Sequence, residues 1–262
     1  MTDYLLKHPR KLVPLTYFAE RYSSAKSSIS EDLAIIKEVF EARGIGTLQT
    51  VSGAAGGVKY QVQAGYEEAR KFIRQLCETM TSPARLLPGG YLYMTDILGD
   101  PAIVQKVGRM IASKYSKTPV DVVMTIATKG IPLAYSVANY LNVPVVIVRR
   151  DNIVTEGPTV SINYVSGSTN RIQTMSLSKR SLAAGSNVLI VDDFMKAGGT
   201  VNGMVSMLEE FRANVAGIAV LVEAEQAEGR LVDEYLSLIR LKDVDLKQKQ
   251  IKICEGNYFS EK

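Results

Sequence analysis

Residues 188–200 read "VLIVDDFMKAGGT": an apolar run, the adjacent acids Asp192 and Asp193, then a cation among small residues. A run like 188–191 forms a buried strand, so the acid pair stands at its tip. Two carboxylates held there can accept hydrogen bonds from a pair of sugar hydroxyls. The loop that follows, Lys196, Ala197, Gly198, Gly199 and Thr200, leaves backbone N–H groups open toward a phosphate, and a helix opening near Thr200 adds its positive end. A ribose phosphate fits both halves. The pattern is neither the GxxxxGK[ST] of a nucleotide P-loop nor the GxGxxG of a dinucleotide fold. A solvated acidic turn is the alternative for the acids, and the rest of the motif weighs against it.

Such a motif needs a sheet to hold it. Strand-like runs fall at residues 120–126, 143–148, 187–191 and 215–222, with helix-like segments at 101–114, 131–141 and 200–211 between several of them. Their near-continuous Val and Ile mark strands covered on both faces, hence a parallel sheet whose ligands bind at the carboxyl ends of the strands. Upstream, "YEEARKFIRQLCETM" (66–80) is an amphipathic helix with Phe72, Ile73, Leu76 and Met80 on its buried side. It joins this α/β part to a differently patterned beginning.

From Leu15 the sequence "LTYFAERYSSAKSSISEDLAIIKEVFEARG" shows helical periodicity in two bursts separated by Ser23-Ser24-Ala25-Lys26. Ser28-Ile29-Ser30-Glu31 has the form of a capping box for the second helix; Ile29, Leu33, Ile36 and Phe40 line one face, and Gly44 offers a left-handed stop. Two β-prone stretches then flank Gly53-Ala54-Ala55-Gly56-Gly57 as a hairpin would. Helix, turn, helix and hairpin make a winged helix. Lys26, Ser27, Ser28 and Ser30 would then meet phosphates and base edges in a major groove, with Lys59 on the wing and Arg10 and Lys11 ahead of the helices adding phosphate contacts. The same geometry also serves in protein-binding modules, and His8 reads as a helix-end or surface residue.

The whole chain, 262 residues with 46% hydrophobic, is long enough for two domains: 1–64 as the winged helix, 65–80 as the connecting helix and 81–262 as the α/β domain. A net charge of +4 permits nucleic-acid binding without demanding it. No apolar stretch approaches the roughly 18 residues of a membrane span, and the start has no signal-peptide layout, which points to the cytoplasm. Cys77 and Cys254, far apart and with only His8 to join them, support neither zinc nor a disulfide framework; no metal site is expected.

These residues carry a resemblance. The stretch 188–200 resembles the phosphoribosyl pyrophosphate (PRPP) motif of type I phosphoribosyltransferases. The resemblance implies that Asp192 and Asp193 contact the ribose hydroxyls and that 196–200 surround the 5′-phosphate. Thr128-Lys129-Gly130, at the end of an earlier strand, is similar to that family's pyrophosphate loop, with Lys129 near the diphosphate and Mg²⁺ commonly accompanying the ligand. Residues 163–180 resemble its flexible hood loop. In adenine-type members a Glu-Tyr pair there performs acid/base work; here the pair is Asn163-Tyr164, and an amide cannot exchange that proton. Lys196, where the enzymes have a small residue, adds a cation that favours retention over turnover.

Along its whole length, through "AKSSISEDL", "LLPGGYLYMTDILG", "TIATKG", "VTEGPTVSINYVSGS" and "VDDFMKAGGT", the sequence resembles the purine operon repressor family of Gram-positive bacteria. That implies an α/β fold with an N-terminal winged helix and a mostly parallel, phosphoribosyltransferase-like sheet. It also implies a homodimer on paired operator DNA upstream of purine biosynthesis and transport genes, with PRPP as the ligand that weakens DNA binding and no transferase activity. Members of that family begin with a short basic segment, whereas this sequence starts Met1-Thr2-Asp3; its loss would weaken phosphate contacts without abolishing the fold. Phe194 and Tyr91 could stack on a purine ring, so a guanine nucleotide with several phosphates is a candidate competitor for PRPP; ordinary packing is the alternative for both rings. An active purine phosphoribosyltransferase and an RNA-binding regulator of the pyrimidine type remain as other readings. Asn163 argues against the first and the winged helix against the second.

Overall fold

The computed structural model describes residues 1–53, 56–151, 157–166, 171–225 and 229–260. The chain begins with a short helix that periodicity did not reveal, α1 (Thr2–Lys7), ended by His8; α2 (Leu15–Tyr22) follows and stops where Ser23 turns left-handed. Helix α3 (Lys26–Ala42) starts earlier than its serines announce. Its N-cap is Ala25, with no side-chain cap, so the box expected at Ser28 and Glu31 does not form and Ser28 and Ser30 lie inside the helix. Ile29, Leu33 and Phe40 of this helix are buried in the core. At the other end Gly44 takes φ +63° and Ile45 N–H reaches Phe40 O, the left-handed stop expected there.

Strands β1 (Gly46–Val51) and β2 (Gly57–Val62) form the antiparallel wing, with Gly46 opposite Val62. Residues 54–55 of its tip lie outside the described residues. Val13 bridges to Val58 as a third element of this sheet, and it comes so close that a Cβ on Gly57 would collide with Val13 O. Helix α4 (Tyr66–Met80) buries Ala69, Phe72, Ile73, Leu76 and Met80. Next come the small hairpin β3 (Leu86–Leu87) and β4 (Tyr91–Leu92), then α5 (Thr95–Gly99) and α6 (Pro101–Lys114). The Asp100 side chain caps α6 by accepting from Ala102 N, and Pro101 takes the first turn, where its missing N–H costs nothing.

The sheet is built from β5 (Val122–Ile126), β6 (Val145–Val148), β9 (Asn187–Met195), β10 (Asn214–Ala224), β11 (Leu236–Asp245) and β12 (Gln250–Glu255) in the order β12-β11-β10-β9-β5-β6, and only β12 runs antiparallel. Helices α7 (Ile131–Leu141) and α8 (Gly199–Glu210) flank it, and β7 (Thr159–Val165) pairs with β8 (Ile172–Ser178) outside it. The 163–180 segment expected as a loop is therefore largely a hairpin: Tyr164, Met175 and Leu177 are buried in the core that also holds Met204 of α8, while residues 167–170 lie outside the described residues.

Strand alternation divides the interior in two. Leu189 and Val191 join a core with α6, α7 and α4, whereas Val188 and Ile190 join the one against α8 and the hairpin. The first core runs without a break from Leu5, Phe18 and Phe40 to Leu221 and Ile239, so the winged helix is packed onto the sheet domain rather than tethered to it.

Candidate ligand site and nucleic-acid interface

Strand β9 is longer than its apolar run. It pairs with β10 as far as Met195, opposite Glu223, while its pairing with β5 ends at Ile190 opposite Met124. Asp192 and Asp193 thus lie inside the last part of the strand, not beyond its tip, at the point where one flank has opened. Asp192 continues the row of Val188 and Ile190 and is 4% exposed; Asp193 is partly buried and donates its backbone N–H to Asp192 Oδ1 at 2.9 Å. Burial pushes the Asp192 carboxyl well above the usual carboxylate range, and the charge of Asp193 adds to the push. Asp193 is raised too, by burial, with Lys129 opposing. Two desolvated acids side by side, with one backbone N–H between them, can accept further hydrogen bonds from hydroxyls or hold a cation.

They open on a cavity of about 990 Å³, at the upper end of the roughly 300–1,000 Å³ typical of small-molecule sites. Thr128 and Lys129 line it from the loop after β5, Lys196 to Thr200 from the turn between β9 and α8, and Phe194 of β9 and Tyr91 of β4 line it too. Of the effector-site residues expected from the sequence, Gly130 alone does not line it. It has a different duty: a Cβ there would strike the Thr125 hydroxyl and come within 2.8 Å of Asp192 Oδ1, so only glycine lets this loop lie against the acid. Gly198 takes φ +85° and opens α8, directing that helix's N-terminus at the cavity. Tyr91, 55% exposed, rides on the β3–β4 hairpin, which Arg85 fastens by a two-point ion pair with Asp96 (2.7 and 2.8 Å).

Sequence reasoning missed Arg150, Lys242 and Asp243, all of which line the cavity. Arg150 follows β6 and lowers the Asp192 pKa, and the pair 242–243 belongs to β11, a strand the hydrophobic pattern did not reveal. The absence of a glutamate at 163 has a structural counterpart. Asn163 is exposed on β7, accepts from Thr174 Oγ1 at 2.9 Å, and does not line the cavity.

In the winged helix, Lys26, Ser27, Ser28 and Ser30 are all exposed on the first turns of α3, which carry no acid in the first turn and no side-chain cap. Their uncapped N–H groups and hydroxyls suit phosphate. Lys11 is exposed and Lys59 is partly buried on β2, opposite Gln49. Arg10 departs from expectation: it is half-buried, and its guanidinium donates to Thr118 O (3.2 Å) and Val120 O (3.5 Å), just before β5. Those carbonyls, with Asp121 nearby, hold it against the sheet domain.

Fold and site define a type I phosphoribosyltransferase-like ligand domain fused to a winged helix. A family model described as bacterial purine repressor, N-terminal, matches residues 1–62, and one described as phosphoribosyl transferase domain matches residues 94–252. The chain is 65% identical over 259 residues to the purine biosynthesis transcriptional repressor PurR of Bacillus subtilis (strain 168), covering 99% of this chain and 91% of that one. It is 48% identical over 261 residues to the purine biosynthesis transcriptional activator PurR of Lactococcus lactis subsp. lactis (strain IL1403), covering 100% and 96%. Among solved structures, adenine phosphoribosyltransferase from Thermoanaerobacter pseudethanolicus ATCC 33223 superimposes with a TM-score of 0.55 at 22% identity, over 64% of this chain and 99% of that one, a likeness of fold. The chain belongs to the bacterial purine repressor family.

Proposed function

We propose that the chain is a DNA-binding transcriptional regulator of purine biosynthesis and transport genes, a repressor that PRPP releases from operator DNA. One observation carries the reading: an acid pair, a phosphate loop and the 128–129 loop converge on one cavity in a chain whose first 62 residues match a purine repressor domain. Residues 1–64 bind DNA, 65–80 connect, and 81–262 bind the effector. Asp192 and Asp193 accept from the ribose hydroxyls, 196–200 hold the 5′-phosphate, and Lys129 and Arg150 meet the diphosphate. Lys11, Lys26, Ser27, Ser28, Ser30 and Lys59 face the duplex; Arg10 is not among them. Two copies of the chain bind paired operator sequences as a homodimer.

Magnesium fits the site as a companion of the ligand. Among the described residues no group of three or more metal-ligating side chains gathers, so diphosphate oxygens would supply most of its coordination, with the acid pair beside it. Phe194 and Tyr91 both line the cavity and offer aromatic faces to a purine ring, so a guanine nucleotide with several phosphates competes for the same cavity; calorimetric displacement of PRPP tests this. Transferase activity is disfavoured because Asn163 is bound to Thr174 outside the cavity.

The deciding experiment is a mobility-shift assay on promoter DNA with and without PRPP. Release by PRPP supports the reading. Indifference to PRPP, or its steady consumption with a purine base, overturns it.

A further inference from the structure

Glu223, at the end of β10, is 1% exposed and takes no part in lining the cavity. Such a carboxylate must be matched by donors, and it has four. Ser237 Oγ (2.7 Å) and Arg240 Nε (3.0 Å) donate to Oε1; Arg230 Nη1 (2.8 Å) and the Tyr235 hydroxyl donate to Oε2. Three of these donors lie on or just before β11, but Arg230 comes from the segment between the strands, where it also donates to Ala224 O and lies over the Tyr235 ring. The next two residues touch the phosphate loop. Leu231 N–H donates to Ala197 O at 2.9 Å, and Val232, 7% exposed, has a methyl 3.1 Å from where a Cβ on Gly198 would stand.

The carbonyl of Ala197 and the N–H of Gly198 belong to one planar trans peptide, so they point in opposite directions. Anchoring the carbonyl to Leu231 therefore aims the Gly198 N–H away from the anchor, and that N–H has no hydrogen-bond partner among the described residues. We propose that Glu223 and Arg230 are positioning residues for ligand capture: through Leu231 and Val232 they lock the Ala197–Gly198 peptide with its N–H presented to the ligand's 5′-phosphate. A donor fixed in place before binding spares the ligand the cost of orienting it. The inference rests on the PRPP reading of the cavity.

Arg230→Met removes the guanidinium from Glu223, Ala224 O and the Tyr235 ring but leaves Glu223 with three donors, so the fold has reason to persist. Leu231→Pro, at a side chain 52% exposed, deletes the anchoring N–H and sets the ring's Cδ against Ala197 O in its place. Each variant should raise the PRPP concentration needed for operator release about tenfold, or about 1.4 kcal/mol, and weaken ribose 5-phosphate binding by a similar factor. Operator affinity without PRPP, and binding of pyrophosphate alone, should stay within twofold of wild type. General loosening would instead weaken both ligands alike. A PRPP response within twofold of wild type in Arg230→Met, or an equal loss for pyrophosphate, overturns the assignment. If Arg230→Met no longer binds operator at all, Leu231→Pro decides on the same criteria. A wild-type protein that ignores PRPP would sink the ligand reading itself.

Discussion

Replacing Asp192 by Asn should move ligand response and stability in opposite directions. The amide has nearly the shape of the carboxyl and keeps the acceptor for Asp193 N–H, so the packing against Gly130 survives. What is lost is charge. Hydrogen bonds from ribose hydroxyls to an ionised acceptor in a site this buried are worth about 1.5–3 kcal/mol, and each ~1.4 kcal/mol is tenfold in affinity. The PRPP concentration that half-releases operator should rise by about one to two orders of magnitude. Stability should respond the other way. The Asp192 carboxyl is raised above its unfolded value by burial, so its penalty is fully present above the folded pKa and is relieved as pH falls through it. Asn removes that penalty at neutral pH, and every ~1 kcal/mol recovered raises Tm by about 2–4 °C in a chain of this size. Anisotropy of labelled promoter DNA across a PRPP series, with a thermal scan of the free protein, reads both. Equal release of wild type and variant, or a variant less stable than wild type, would refute the reasoning.

Four further outcomes are expected. Because both acids of the pair titrate above ordinary carboxylates, PRPP affinity measured by calorimetry should fall as pH drops through that raised range, before exposed Asp and Glu protonate, and Asp192→Asn should show a flatter profile. Gly198→Ala imposes a side chain at φ +85° against Val232, a strain of about 1–2 kcal/mol; Tm should drop and the PRPP response weaken, while a loop that tolerated alanine in both assays would contradict the geometry. Lys26→Ala should weaken binding evenly across operator sequences and lower the slope of log affinity against log salt by about 1, whereas an unchanged slope would remove Lys26 from the interface. Arg10→Met should lower Tm through the lost bonds to Thr118 and Val120 yet leave that slope intact, since its charge faces the sheet domain; a reduced slope would return Arg10 to the duplex.

The sequence by itself determined what nearest neighbours control. Helices α6 and α7 were legible to the residue, because Pro101, Pro132 and the 3.6-residue rhythm are local signals. The β5, β6, β9 and β10 runs were legible as buried strands from their unbroken Val and Ile, and the phosphate loop from its small residues after two acids. Tertiary structure decided the rest. How far β9 runs past its apolar stretch depends on β10 continuing beside it, a partner that periodicity within one strand cannot show. Ser28 lies inside α3, whose N-cap is Ala25, and Arg10 gives its guanidinium to carbonyls 108 and 110 residues away in the chain. Arg150, Lys242 and Asp243 carry no local signature at all; they meet at the cavity because parallel strands bring distant segments' carboxyl ends to one edge. Composition and spacing act over a few residues, while a site is assembled by loops that only the sheet order makes neighbours.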